Sequence, residues 1–150
     1  MKAFYDTEHG AFHRPLMLAS IGIVREDGRE LYMVSAECKR RAGGPWFVKN
    51  IWPLIEHAPK HSLAAISEAV SDFLIPVSQI VTRDGKNDRN LLEQLIGPLW
   101  FQHIDIQPAW TRKSPTDRPK LERPNKHHAL EDAKFYRSLF YILYPTRTAA

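Results

Sequence analysis

The sequence predicts an α/β fold, a mixed five-stranded sheet flanked by helices, and three observations predict it. Two apolar, β-branched runs lie on either side of Asp27-Gly28 near the start of the chain. A strand-like run, Val77–Thr82, leads through a short loop into a helical stripe, and a last helical segment runs from about His127 to Pro145. Hairpin-linked strands followed by strands that alternate with helices require both antiparallel and parallel pairing, with helices on the sheet faces.

In chain order, Lys2–Asp6 reads as the first strand and ends in FYDTE, where Asp6 and Glu8 stand on either side of Thr7. A polar loop with His9, Gly10, His13 and Pro15 follows; His9 and His13 are ordinary loop histidines in this reading, because Gly10 and Pro15 disfavour a zinc-binding helix. LMLASIGIVRE is apolar enough for a central strand. After Asp27-Gly28, a strong hairpin signal, LYMVSAE alternates as its partner, so Leu16–Glu37 reads as a β-hairpin. Pro45–Glu56 has a helix-like apolar spacing. SLAAISEAVSDFL places Leu63, Ile66, Val70, Phe73 and Leu74 on one helical face behind Ser62 as N-cap. Val77–Thr82, the loop RDGKN and a helix striped by Leu91, Leu92, Leu95 and Ile96 form a strand-loop-helix unit that Gly97-Pro98 stops. His103–Gln107 is the fifth strand. Pro108, Pro115, Pro119 and Pro124 then keep the chain irregular until the final helix, which opens HHALEDA.

With 150 residues, 43% of them hydrophobic, the chain is long enough for one domain with a real core, taken as residues 1–150. Cys38 is the lone cysteine, which excludes an intramolecular disulfide and a cysteine-based zinc cluster. No apolar run approaches membrane-spanning length and the N-terminus has no signal-peptide core, so a soluble, cytoplasmic protein is expected. The formal excess of +4 is localised: Thr111–Lys126 carries Arg112, Lys113, Arg118, Lys120, Arg123 and Lys126 against Asp117 and Glu122. A basic stretch of this kind suits a polyanion such as nucleic acid, and equally suits a solvated, proline-rich loop.

Acids carry the rest of the signal. Alternate residues of a strand face the same way, so Asp6 and Glu8 aim at one point if the strand persists, and two carboxylates that close repel unless a cation lies between them. Asp88 falls in the first turn of a helix that follows a strand, where ligand sites collect in open α/β sheets. Asp84 competes with it, although Asp84-Gly85 has turn chemistry. In the last helix Asp132 is flanked by Ala129 and Ala133, small residues that permit close approach, and His127 stands five positions earlier. Taken singly, each acid is most simply a solvated surface group.

Together the pieces resemble the DEDDh superfamily of 3′-to-5′ exonucleases, which includes ribonuclease T, and within it the short bacterial and phage exoribonuclease-like branch. The first motif, D-x-E on the first strand, matches Asp6 and Glu8. The second, an acid at a helix start, matches Asp88 in NDRNLLEQLIGPL, and the third, H-x(4)-D, matches His127 and Asp132. The residues before Asp88, TRDGKN, depart from the family pattern and leave Asp84 open as the second-motif acid. His128, which would share a helical face with Asp132, is second to His127 as the working histidine.

The resemblance implies a ribonuclease H-like fold and a metal-dependent 3′-to-5′ exonuclease. Its substrate would be the 3′ ends of single-stranded RNA or DNA, RNA slightly preferred. It implies two divalent cations, Mg²⁺ or Mn²⁺, held by Asp6, Glu8, Asp88 and Asp132, with His127 as general base, and related enzymes are often homodimers. Phe12 and Trp110 are candidates for stacking on terminal bases. Two other readings compete. One is a non-catalytic nucleic-acid-binding module on the same fold. The other is a small basic interaction protein whose motifs are coincidence, which predicts the four acids scattered over the surface.

Overall fold

A computed structural model describes residues 1–10, 17–114, 116–118, 121, 123 and 125–145, the side chain of Ala42 excepted. The strands are β1 (Lys2–His9), β2 (Leu18–Arg25), β3 (Glu30–Ser35), β4 (Lys60–His61), β5 (Gln79–Thr82) and β6 (Gln102–Asp105). They form one mixed sheet in the order β4-β3-β2-β1-β5-β6. The helices are α1 (Gly44–Asn50), α2 (Trp52–Ile55), α3 (Leu63–Leu74), α4 (Gly85–Ile96), α5 (Gln107–Arg112) and α6 (Ala129–Leu143). The architecture is consistent with a ribonuclease H-like α/β fold.

β1 is central because both its faces are apolar. Ala3 and Tyr5 pack with Ile66, Val70 and Leu74 of α3 and with Leu91 and Leu92 of α4. Phe4 points the other way and packs with Ala133, Tyr136, Leu139 and Phe140 of α6. By the two-residue period of the strand, Asp6 and Glu8 share the face of Phe4 and look toward α6, while Thr7 looks toward α4. β1 pairs antiparallel with β2 and parallel with β5, so β1 and β5 both end at the same edge. In open α/β sheets that edge is where ligand sites form.

Gly22 sets how closely α6 can lie on the sheet. It sits opposite Asp6 in the register, and a Cβ there would stand 2.1 Å from the backbone nitrogen of Leu130 and 2.3 Å from the carbonyl carbon of Ala129. Ala129 and Ala133 are fully buried on the helix side of the same contact.

The five expected strands are present, and a sixth, Lys60–His61, pairs in parallel with Val34 and Ser35; two residues are too few to leave a periodic signal. β1 runs on to His9, so His9 ends a strand rather than lying in a loop, and His13 falls outside the described residues. The segment Pro45–Glu56 is two helices, α1 and α2, broken where Pro53 has no N–H to offer and its ring would crowd the preceding turn. Pro108 does not prevent α5, because the first turn of a helix needs no such donor. α4 already begins at Gly85, inside the expected loop, where an added Cβ would meet the Asp105 carboxylate at 2.5 Å.

Candidate active site

Asp6, Glu8, Asp88, Asp132 and His127 line one cavity of about 470 Å³ at the ends of β1 and β5. The four acids are all buried, Asp6 at 6%, Glu8 at 8%, Asp88 at 3% and Asp132 at 1% exposure. The scattering that a coincidence of motifs would produce is not what the fold does with them.

Each acid is fixed differently. Asp6 accepts a hydrogen bond from the Tyr136 hydroxyl at 2.9 Å. Tyr136 lies one helical turn after Asp132, so a single face of α6 carries both groups to β1. Burial and the nearby Asp6 hold that phenol protonated and therefore a donor. Asp88 accepts from the Thr7 backbone N–H at 3.1 Å and the Thr7 hydroxyl at 2.6 Å, and from the Thr82 hydroxyl. Thus Thr7, between the two first-strand acids, ties α4 to β1. Asp84 also lines the cavity, but it is exposed and accepts from Asn87 Nδ2 at 3.0 Å, whereas Asp88 is buried against β1 and β5.

Asp132 is held by Arg123, whose Nε and Nη2 donate to its two oxygens at 2.6 and 2.5 Å. The His127 backbone N–H adds a bond to Asp132 Oδ2 at 3.1 Å. α6 begins at Ala129, so His127 precedes it, with a left-handed φ of 68°. A β-carbon-bearing residue in that region costs on the order of 1 kcal/mol, and such strain gathers where a side chain is being aimed. The His127 ring lies with Nδ1 4.0 Å from Glu8 Oε1. His128 points elsewhere: its ring stacks on Tyr32 with centroids 4.4 Å apart, away from the cavity lining.

The electrostatics follow from four buried carboxylates facing one guanidinium. Burial, and then Asp88, Glu8 and Asp132, push the Asp6 carboxyl well above its usual range. Burial and then Asp132 and Asp88 push Glu8 up to about 8, and burial pushes Asp88 up to about 7 against its threonine hydrogen bonds. Burial lowers His127, with Asp132 opposing, which favours a neutral imidazole at neutral pH. Among the described residues, Glu8, His127 and Asp132 bring ligand atoms within 4.8 Å of one another. Carboxylate oxygens suit hard dications, and acids this poorly neutralised are the ones a dication would stabilise, so the donor set fits Mg²⁺ or Mn²⁺.

This predicts a pH dependence. Acids whose folded pKa is raised stabilise the fold relatively below their unfolded pKa, near 4, and that contribution is lost as pH rises through about 7 to 8. In EDTA the protein should therefore be less stable at pH 8 than at pH 5 by on the order of a few kcal/mol and melt lower, and Mn²⁺ should raise the melting temperature more at pH 8. A melting temperature in EDTA that climbs from pH 5 to pH 8 would contradict it.

Several residues that shape the site were not picked out from sequence: Tyr136, Thr7, Thr82, Arg123 as a partner of Asp132, and Trp46. Trp46 is 48% exposed, lines the cavity and meets the His127 ring edge-on at 4.9 Å. Tyr136 was findable, being four residues after Asp132 on one helical face; Trp46 was hidden in a helix whose apolar spacing looks like core. Trp110 is absent from the cavity lining; it packs beside Ile106 and Tyr136 in the α6-side core, with Arg83 and Arg118 over its faces. Phe12 and Lys120 lie outside the described residues. Of the basic stretch, Arg123 lines the cavity, whereas Arg112 and Lys126 are solvent-exposed.

A 53-residue segment of the chain is 43% identical to proteins of Mycobacterium tuberculosis, in two strains, that are named 3′-5′ exoribonucleases. The match spans 35% of this chain and about a third (32%) of each relative. No family model matches the chain. None of the described helices is long and apolar enough to cross a membrane.

Proposed function

We propose that residues 1–150 form one metal-dependent 3′-to-5′ exonuclease domain of the DEDDh type, acting on single-stranded nucleic acid with RNA preferred. The observation that carries the proposal is the convergence of Asp6, Glu8, Asp88 and Asp132 with His127 in one cavity; the partial similarity to named exoribonucleases supports it independently.

In this reading Asp6, Glu8, Asp88 and Asp132 would hold two dications, Mg²⁺ or Mn²⁺, with Asp88, whose oxygens also accept from Thr7 and Thr82, acting mainly through the second dication or its waters. When bound, the dications supply Lewis-acid activation of water and charge neutralisation at the phosphate. His127 takes a proton from the attacking water, a task suited to a neutral imidazole. The water oxygen bonds to phosphorus, the bond from phosphorus to the 3′ oxygen of the preceding nucleotide breaks, that oxygen takes a proton from solvent to become the new 3′ hydroxyl, and the terminal residue is released as a nucleoside 5′-monophosphate. Trp46 offers a face for the terminal base. Lys39, Arg40 and Arg41, exposed on the segment that runs into Gly43 and Trp46 of the cavity wall, give the upstream phosphates a basic rim.

The two histidines test the reading on single-stranded RNA with a free 3′ end and Mn²⁺. His127→Ala is expected to lower kcat by about 10²- to 10⁴-fold with little loss of stability. His128→Ala should chiefly lower the melting temperature, because it removes the stack on Tyr32. Equal losses of turnover in both variants, or a larger one in His128→Ala, would contradict the assignment.

A further inference from the structure

Arg123 stands where the donor set would otherwise be open. Its guanidinium donates to both oxygens of Asp132 at 2.6 and 2.5 Å, its Cζ lies 5.6 Å from the centroid of the Phe135 ring, and it lines the same cavity as the acids. Asp132 is 1% exposed, while the Arg123 side chain keeps 20% of its surface in contact with solvent. Asp132 faces the cavity from beneath the guanidinium, and the arginine is the more solvent-exposed partner of the pair. Arg123 lies outside the described helices and strands, whereas Asp132 is fixed in α6, so the two are not tied by a shared element.

A dication that uses Asp132 needs oxygen lone pairs facing the cavity, and a bidentate guanidinium competes for them as well as repelling the ion. Its planar fork is matched equally well to the oxygens of a phosphate. We propose that Arg123 is the exchangeable cation of this site: it pairs with Asp132, yields it to a dication, and is then released into the cavity to grip a non-bridging oxygen of the substrate phosphodiester. Resting on the metal-dependent reading above, this assigns Arg123 a role in coupling metal loading to substrate binding. It also explains why one guanidinium sits among acids that repel one another: it holds Asp132 in place before the ion arrives.

The test uses calorimetric titration of EDTA-stripped protein with Mn²⁺, for the wild-type chain, Arg123→Gln and Arg123→Lys. Removing a charge-assisted, bidentate competitor is expected to tighten Mn²⁺ binding about tenfold in Arg123→Gln, with Arg123→Lys between the two. In wild-type protein the Arg123 Nε–H resonance, assigned by its absence from the Arg123→Lys spectrum, should shift on Mg²⁺ titration as the pair opens. At saturating Mn²⁺, KM for a single-stranded oligoribonucleotide should rise about tenfold in Arg123→Gln, with a smaller change in kcat. If Arg123→Gln does not fold, the Mg²⁺ titration of the wild-type resonance decides alone. Mn²⁺ binding equal or weaker in Arg123→Gln, or an Nε–H resonance unmoved by saturating Mg²⁺, overturns the exchange; an unchanged KM overturns the phosphate contact. A folded wild-type chain that binds no Mn²⁺ would instead refute the metal-dependent function itself.

Discussion

Gly22→Ala is expected to lower stability by about 3 kcal/mol or more and to cut turnover by roughly 100-fold or more. The added methyl would fall 2.1 Å from the Leu130 backbone nitrogen, and neither partner is a side chain that can swing aside. Either β2 or the first turn of α6 must retreat, and the first turn of α6 carries Asp132, with His127 just before it. A displacement of about 1 Å is enough to lose a catalytic geometry, so the damage should exceed what the melting temperature alone implies. Circular-dichroism melts and RNA turnover at a temperature where the variant remains folded separate the two effects. Wild-type values for both would show that α6 does not depend on that contact.

Asp6→Asn is expected to reduce turnover by about 10³-fold or more while leaving the fold intact. The amide keeps the shape of the side chain and an oxygen for the Tyr136 hydroxyl. It loses the charge that dications need, and removes one of four mutually repelling acids. The variant should consequently melt at or above the wild-type temperature in EDTA and gain less from Mn²⁺. The pair of results matters: an inactive variant that is also unfolded says nothing about the acid, whereas a stable variant with wild-type turnover would remove Asp6 from the chemistry.

Much of this was legible in the sequence because it rests on local chemistry. The hairpin was marked by Asp27-Gly28, and Gly28 does take a positive φ of 89°. Ser62 caps α3 by accepting from the Ala65 N–H at 3.2 Å. Asp6 and Glu8 shared a face by strand period, and the small residues around Asp132 announced a close approach. What was not legible depends on partners far away in the chain. Nothing near Gly22 says that α6, more than a hundred residues later, will press against it. Arg123 read as one of six cations in a proline-rich stretch, and only the fold turns it onto Asp132. The break between α1 and α2 was available in Pro53 but was masked by apolar spacing that continues across it.

The histidine assignment shows the same division. The H-x(4)-D spacing pointed to His127, yet helical periodicity alone would have favoured His128, which lies one turn from Asp132. The helix begins only at Ala129 and His127 has a left-handed backbone, which puts the His127 ring in the cavity wall and leaves His128 stacked on Tyr32. A residue outside the helix is free of its periodicity, so no helical argument could have placed it.

A 5′-labelled single-stranded RNA, and its DNA counterpart, incubated with the protein in Mn²⁺, in Mg²⁺ and in EDTA and resolved by length, should give a ladder that shortens from the 3′ end in either metal, faster on RNA, and none in EDTA. Intact substrate under every condition, or degradation that persists in EDTA, would contradict a metal-dependent 3′-to-5′ exonuclease.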